Sequence, residues 1–155
     1  IWLPITEFVG DDVYFLKPDP FTTLTSPADS FIPISVGAYN HSTAGLYINS
    51  GRGYAIGTMM KPTFVAPGVN ILAPTLNNSY IRLSGTSISA AITAGVMAQF
   101  MEWGILRGNR VNMNTIEIKN YLVRGASRKP TLSYPNREWG YGTLDVYNSI
   151  DILRT

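Results

Sequence analysis

Residues 84–91 read Ser84-Gly85-Thr86-Ser87-Ile88-Ser89-Ala90-Ala91, and they constrain this chain more than any other stretch. Gly85, two positions before Ser87, can adopt backbone angles closed to other residues. After it, Ala90, Ala91, Ala94, Gly95 and Ala98 recur at helical spacing and form a face narrow enough to press against neighbouring backbone. The pattern predicts a turn followed by a buried central helix with Ser87 at its N-terminus. There, unpaired N–H groups and the helix dipole favour a developing negative charge, which acyl transfer needs beside its nucleophile. Ser87 is therefore the candidate nucleophile. Ser and Thr are also preferred caps of any helix, so the triplet Gly85-Thr86-Ser87 alone does not decide between the two roles.

A second motif shifts the balance. Lys61-Pro62-Thr63-Phe64-Val65-Ala66-Pro67-Gly68-Val69-Asn70-Ile71 is followed by a short polar loop, Tyr80 and then the serine motif. The pair resembles the subtilase family of serine proteases, in which K-P-D-V-x-A-P-G-x-x-I precedes S-G-T-S-M-[AS]-[AS]-P by about this interval. Upstream, residues 26–38 resemble the family's approach to an I-x-V-G-A strand. Downstream, Trp139-Gly140-Tyr141-Gly142-Thr143-Leu144-Asp145-Val146 resembles the close of its catalytic domain. Trp2-Leu3-Pro4, the segment from Pro18-Asp19-Pro20 to Pro27-Ala28, Met101 to Ile105 and Tyr134 to Gly142 are similar to the clostridial spore-germination subtilases, which carry a jelly-roll insert.

The resemblance implies an α/β fold, the C-terminal portion of a subtilisin-like parallel sheet with covering helices. Residues 1–25 would be a connecting segment at the end of an inserted domain, and residues 26–155 the part of the catalytic domain that carries the nucleophile. Subtilases order their triad Asp, His, Ser, with an oxyanion-hole Asn between His and Ser. By that order the triad Asp and His and the Asn lie outside this chain, and the missing N-terminal part of the catalytic domain is its first expected partner. The implied activity is that of a serine endopeptidase acting through an acyl-enzyme on Ser87, whose own backbone N–H joins the oxyanion hole. The isolated chain, lacking base and amide donor, is expected to be inert. The germination likeness implies a protein substrate, the zymogen of a spore cortex hydrolase, and a secreted or spore-associated location. The competing reading is a pseudoprotease, a non-catalytic scaffold in germination signalling.

Two departures from the family pattern bear on chemistry. Thr63 stands where K-P-D has its Asp, a carboxylate near a weak cation site in some relatives, so calcium is not carried onto this segment and no metal or cofactor is assigned. Ala91-Ile92 replaces a frequent Pro-His pair, a change expected to alter helix packing rather than catalysis. His41 is the only histidine of the chain. It follows the strand-like run in a polar turn, outside any H-G-T-H pattern, and is read as a surface residue.

Composition enters as exclusion. A net charge of +2 without long Lys/Arg runs gives no footprint for nucleic acid or an anionic membrane. With no cysteine, the chain has no thiol nucleophile and no Cys-based metal site. Its 155 residues, 45% of them hydrophobic, suffice for one core. The chain begins at Ile1, and the resemblance makes it a portion of a longer domain, so an open sheet edge and self-association through it are expected.

Local signals complete the reading. Phe31 to Ala38 is expected as a buried strand and residues 44–60 as a surface turn. Phe64-Val65-Ala66 and Val69 to Ala73 are expected as two short strands divided by Pro67-Gly68. The Ser87 helix is expected to run to about Trp103 with Gly104 as its stop. Asn114 with Glu117 has capping-box spacing for a helix ending at Gly125, and a last helix is expected from Asp145 to Leu153. Trp2-Leu3-Pro4 and residues 17–20 suggest an edge strand and an extended connection.

Overall fold

The computed structural model describes residues 12–153. The edge strand expected around Trp2-Leu3-Pro4 lies outside them. Strand β1, Val36–Asn40, pairs in parallel with β3, Phe64–Pro67, and its far end pairs antiparallel with β2, Gly45–Leu46. The other edge of β3 is closed by the segment after Gly140, where the Val65 N–H donates to the Gly142 carbonyl and the Leu144 N–H to the Val65 carbonyl. A separate antiparallel hairpin consists of β4, Ile71–Thr75, and β5, Ser79–Leu83. The helices are α1, Thr86–Met101, α2, Thr115–Gly125, and α3, Val146–Asp151. The architecture is α/β, as the motifs imply, with parallel pairing between β1 and β3 and a further parallel bridge from Val65 of β3 to Thr143.

Several expectations change in detail. The run from Phe31 becomes a strand only at Val36, because the Phe31 and Pro33 carbonyls are taken by lysine side chains instead of by a neighbouring strand. Residues 44–60 contain β2 and a 3₁₀ turn at Ile56–Thr58, and Ser50 and Ala55 are buried. The polar loop before the serine motif is half of the β4–β5 hairpin, closed by Asn77 and Asn78 at φ values of 58° and 52°. Gly104 does not stop α1. The helix passes into a π-helical stretch, Glu102–Leu106, and the chain reverses at Gly108, whose φ is +73°. Gly104 lies against Met113, where an added Cβ would stand 2.9 Å from the thioether sulfur.

Other signals behave as read. Asn114 caps α2 by accepting from the Glu117 N–H at 3.0 Å, and the helix ends at Gly125. Asp145 caps the last helix by accepting from the Asn148 N–H at 3.0 Å, though that helix closes at Asp151. One core cluster unites Phe64 of β3, Val96 and Phe100 of α1, Met113, and Ile118 and Leu122 of α2. Burial of each such side chain contributes about 1.5–3 kcal/mol.

Gly125 is where α2 meets α3. An added Cβ would lie 2.5 Å from the Ser149 Cα and 2.6 Å from its backbone nitrogen, atoms that no rotamer change can move aside. Gly125→Ala should therefore separate the two helices and lower stability by about 1–3 kcal/mol, read as a shifted urea midpoint at unchanged slope.

Lys61 is the largest fully buried side chain, 1% exposed, with its Nζ donating to the Pro33 carbonyl at 2.8 Å. Burial, reinforced by the nearby Lys119 ammonium and opposed by Asp29, lowers its pKa to about 8. Below pH 8 folded and unfolded chains both hold this proton. Between pH 8 and 10.5 the unfolded chain keeps a proton that the folded chain has released, so this group makes stability rise with pH. The stability of the wild type relative to Lys61→Met should be constant below pH 7.5 and then climb by up to about 1.4 kcal/mol per pH unit. Denaturant titrations from pH 6 to 10 check the sign.

Candidate active site

The nucleophile candidate is positioned by the end of β3. After Pro67, the Gly68 N–H donates to the Tyr39 carbonyl at 3.1 Å, and the Gly68 carbonyl accepts from the Gly85 N–H at 2.7 Å. Gly68 has no room for a side chain: a Cβ would fall 2.1 Å from Ser89 Oγ, 2.8 Å from the Gly85 carbonyl and 2.9 Å from Ala38 Cβ. Ser89, fully buried, donates to the Ala66 carbonyl at 3.0 Å and lies 3.2 Å from that of Pro67. The Gly85 carbonyl then accepts from the N–H groups of Ile88 and Ser89, starting the first turn of α1. Asn70 is held to the same corner by its N–H, which donates to Ser84 Oγ at 2.9 Å. Strand end and helix start thus form one hydrogen-bonded corner, and Ser87 sits on its outer side.

Ser87 is exposed in the first turn of α1, and its hydroxyl makes no hydrogen bond among the described residues. In that turn the leading N–H groups have no carbonyl four residues back, so they point outward as donors at the positive end of the helix dipole. This arrangement can stabilise an oxyanion formed on an acyl group attached to Ser87. It cannot by itself remove the serine proton, which requires a base within hydrogen-bond reach. His41 does not supply one. It is exposed in the turn between β1 and β2, and no hydrogen bond or ion pair joins it to Ser87. No cluster of three or more His, Cys, Asp or Glu suited to a metal occurs among the described residues.

One side of α1 is buried and the other is bare. Ser89, Thr93, Val96 and Phe100 face the sheet and core. Ala90, Ala91, Ala94, Gly95 and Ala98, expected to press against backbone, are exposed, and a Cβ built on Gly95 would meet nothing within 4 Å. The small-residue face is real, but no described segment covers it. A cavity of about 510 Å³ is lined by Thr25, Ala28, Ser35, Val36, Ser50 and Thr86, the residue before Ser87, among others.

A family model described as the Subtilase family (Peptidase_S8) matches residues 10–142. The chain belongs to the subtilase family. The Clostridium perfringens CspB protease structure superposes with a TM-score of 0.86 at 37% identity, covering 90% of this chain and 31% of that one. The prenylagaramide maturation protease PagA superposes at 0.72 with 29% identity, covering 87% and 47% of the two chains. The subtilisin-like protease SBT6.1 of Arabidopsis thaliana is 29% identical over 142 residues, which is 87% of this chain and 13% of that protein. The chain thus spans less than half the length of each of these subtilases.

Two residues of the corner were not singled out by sequence reasoning. Ser89 was treated as part of a motif, yet it is the hydroxyl that ties α1 to β3. Gly68 was read as a turn former, yet its decisive property is the missing Cβ. The signal was present in both cases, since each occupies a motif position where an exposed residue would have no reason to be small. Ser89→Ala leaves the Ala66 and Pro67 carbonyls short of a buried donor and should cost about 1–3 kcal/mol. Thermal denaturation at fixed pH reads this, and an unchanged midpoint would remove Ser89 from the anchor.

Proposed function

We propose that this chain is the nucleophile-bearing part of a serine endopeptidase catalytic domain, with Ser87 forming the acyl-enzyme. The observation that carries the reading is Ser87 exposed at the first turn of α1, fixed by the Gly68 corner, in a subtilase whose other triad members have no counterpart near it among the described residues. The triad His and Asp and the oxyanion Asn come from chain outside these 155 residues, and the Ser87 N–H is the second oxyanion donor. Ser87 begins a stripe that continues through Ala90, Ala91, Ala94, Gly95 and Ala98 at helical spacing. A segment that packs on the small residues is carried along the helix toward Ser87, so the bare face is where the rest of the catalytic domain docks. Residues 1–25 are the connecting segment that precedes the catalytic part, residues 26–155.

The substrate is a protein. The likeness of residues 18–28 and 134–142 to clostridial germination subtilases, together with 37% identity to the CspB protease, supports the zymogen of a spore cortex hydrolase as that substrate. Thr63 leaves the K-P-T stretch without its carboxylate, so no calcium is assigned to it.

A fluorophosphonate probe separates the alternatives. In the natural protein that contains this chain, Ser87 should be labelled stoichiometrically, and Ser87→Ala should lower hydrolysis on the order of 10⁶-fold. The isolated 155-residue chain should not be labelled. Labelling of the isolated chain would overturn its dependence on outside residues, and no labelling of the natural protein would make it a non-catalytic scaffold.

A further inference from the structure

The parallel pairing of β1 with β3 begins at Val36 and Phe64, and one more backbone rung precedes it, the Thr63 N–H donating to the Ser35 carbonyl at 2.8 Å. Two residues earlier the backbone donors give way to an ammonium. Lys61 Nζ donates to the Pro33 carbonyl at 2.8 Å. Two residues earlier again, Lys119 Nζ of α2 donates to the Phe31 carbonyl at 3.3 Å and stands 5.3 Å from the centre of the Phe31 ring. Alternate carbonyls at positions 31, 33 and 35 are therefore each held, the first two by lysine side chains from different elements.

This arrangement is costly as pure packing. The two ammonium groups repel one another, and burial disfavours the charge on Lys61, with Asp29 as the compensating carboxylate. An unbranched apolar side chain would fill the same space without that desolvation. What the ammonium adds is a directed, charge-assisted bond to a carbonyl that no backbone donor reaches. The two carbonyls held by Lys61 and Lys119 lie between Ala28 and Ser35, which line the same cavity as Thr86, the residue before Ser87.

We propose that Lys61 and Lys119 are positioning residues whose ammonium groups continue the β1–β3 ladder, clamp the Phe31 and Pro33 carbonyls, and hold the Thr25–Val36 wall against which a substrate peptide is seated. The inference rests on Ser87 being a protease nucleophile, as proposed above. Neither lysine touches the reacting atoms. Their loss loosens substrate binding while leaving the serine as reactive as before.

The test compares Lys61→Met and Lys119→Met in the natural protein by hydrogen–deuterium exchange and by peptide hydrolysis. Exchange across residues 26–35 should rise about fivefold or more in Lys61→Met, while amides of residues 118–122 stay as protected as in wild type. KM should rise about tenfold with kcat within about twofold, a pattern of lost binding rather than lost chemistry. Fluorophosphonate labelling of Ser87 should keep its rate, because that probe needs no seated peptide. Lys119→Met should shift the same readouts in the same direction by less, since its bond is longer and more exposed, and it serves if Lys61→Met does not fold. Unchanged exchange at residues 26–35 in both variants overturns the clamp, as does exchange raised equally across residues 118–122. Raised exchange with an unchanged KM overturns its role in seating substrate. A wild-type protein that is never labelled defeats the protease reading instead, and the exchange result still decides the clamp.

Discussion

The contact on which the site depends is the approach of Gly68 to the first turn of α1. Its cause is steric and its consequence is electrostatic. With no Cβ at position 68, the strand end comes near enough for the Gly68 carbonyl to accept from Gly85, and Ser89 closes the same gap from the helix side. The backbone leaving β3 is thereby spent on anchoring α1, and the helix dipole is fixed relative to the sheet. A serine placed one residue further into the helix than Thr86 must then project outward beside unpaired N–H groups. Much of the position of Ser87 follows from a side chain that is absent.

Much of this corner was legible in the sequence because its signals are local. Small residues, a Pro-Gly break and an Asn–Glu cap each act within one or two turns of chain, and β3, the start of α1 and the whole of α2 fall where such signals put them. Elements that depend on distant partners were less legible. Phe31 to Ser35 has strand-like composition, but whether it pairs is decided by two lysines 28 and 88 residues away. The polar residues of β5 concealed a strand whose evidence lay in its turn, since adjacent Asn77 and Asn78 suit consecutive positive φ values. Gly104 looked like a helix stop because glycine usually is one; here Met113 packs where its side chain would have been, and the helix widens instead.

The position of Lys61 illustrates the same difference from the side of charge. As part of a motif it marks the family, whereas its physical behaviour is set by what surrounds it after folding. A lysine 1% exposed with a single carbonyl partner is unfavourable for the isolated ammonium, and Lys119 increases the strain. Its ammonium donates to the Pro33 carbonyl, which no backbone donor reaches among the described residues. Desolvation of one cation is thereby set against the pairing of one backbone carbonyl.

The two faces of α1 differ in what they contribute around Ser87, the proposed nucleophile. Ser89, Thr93, Val96 and Phe100 bind the helix to its own sheet, and their burial is independent of anything else. The opposite face offers only methyl groups and hydrogens beside Ser87, which bury little area and so stabilise little in this chain alone. Residues that small are useful where another backbone must come close, because each omitted side-chain atom shortens the distance between axes. A partner helix seated at that distance brings its own side chains within reach of a hydroxyl at the end of the stripe, and larger residues there would hold them out of hydrogen-bond range. The exposed stripe and the exposed serine thus lie on one face of α1, and in the proposed assembly the packing distance set by Ala90, Ala91, Ala94, Gly95 and Ala98 would determine how near a base could stand to Ser87.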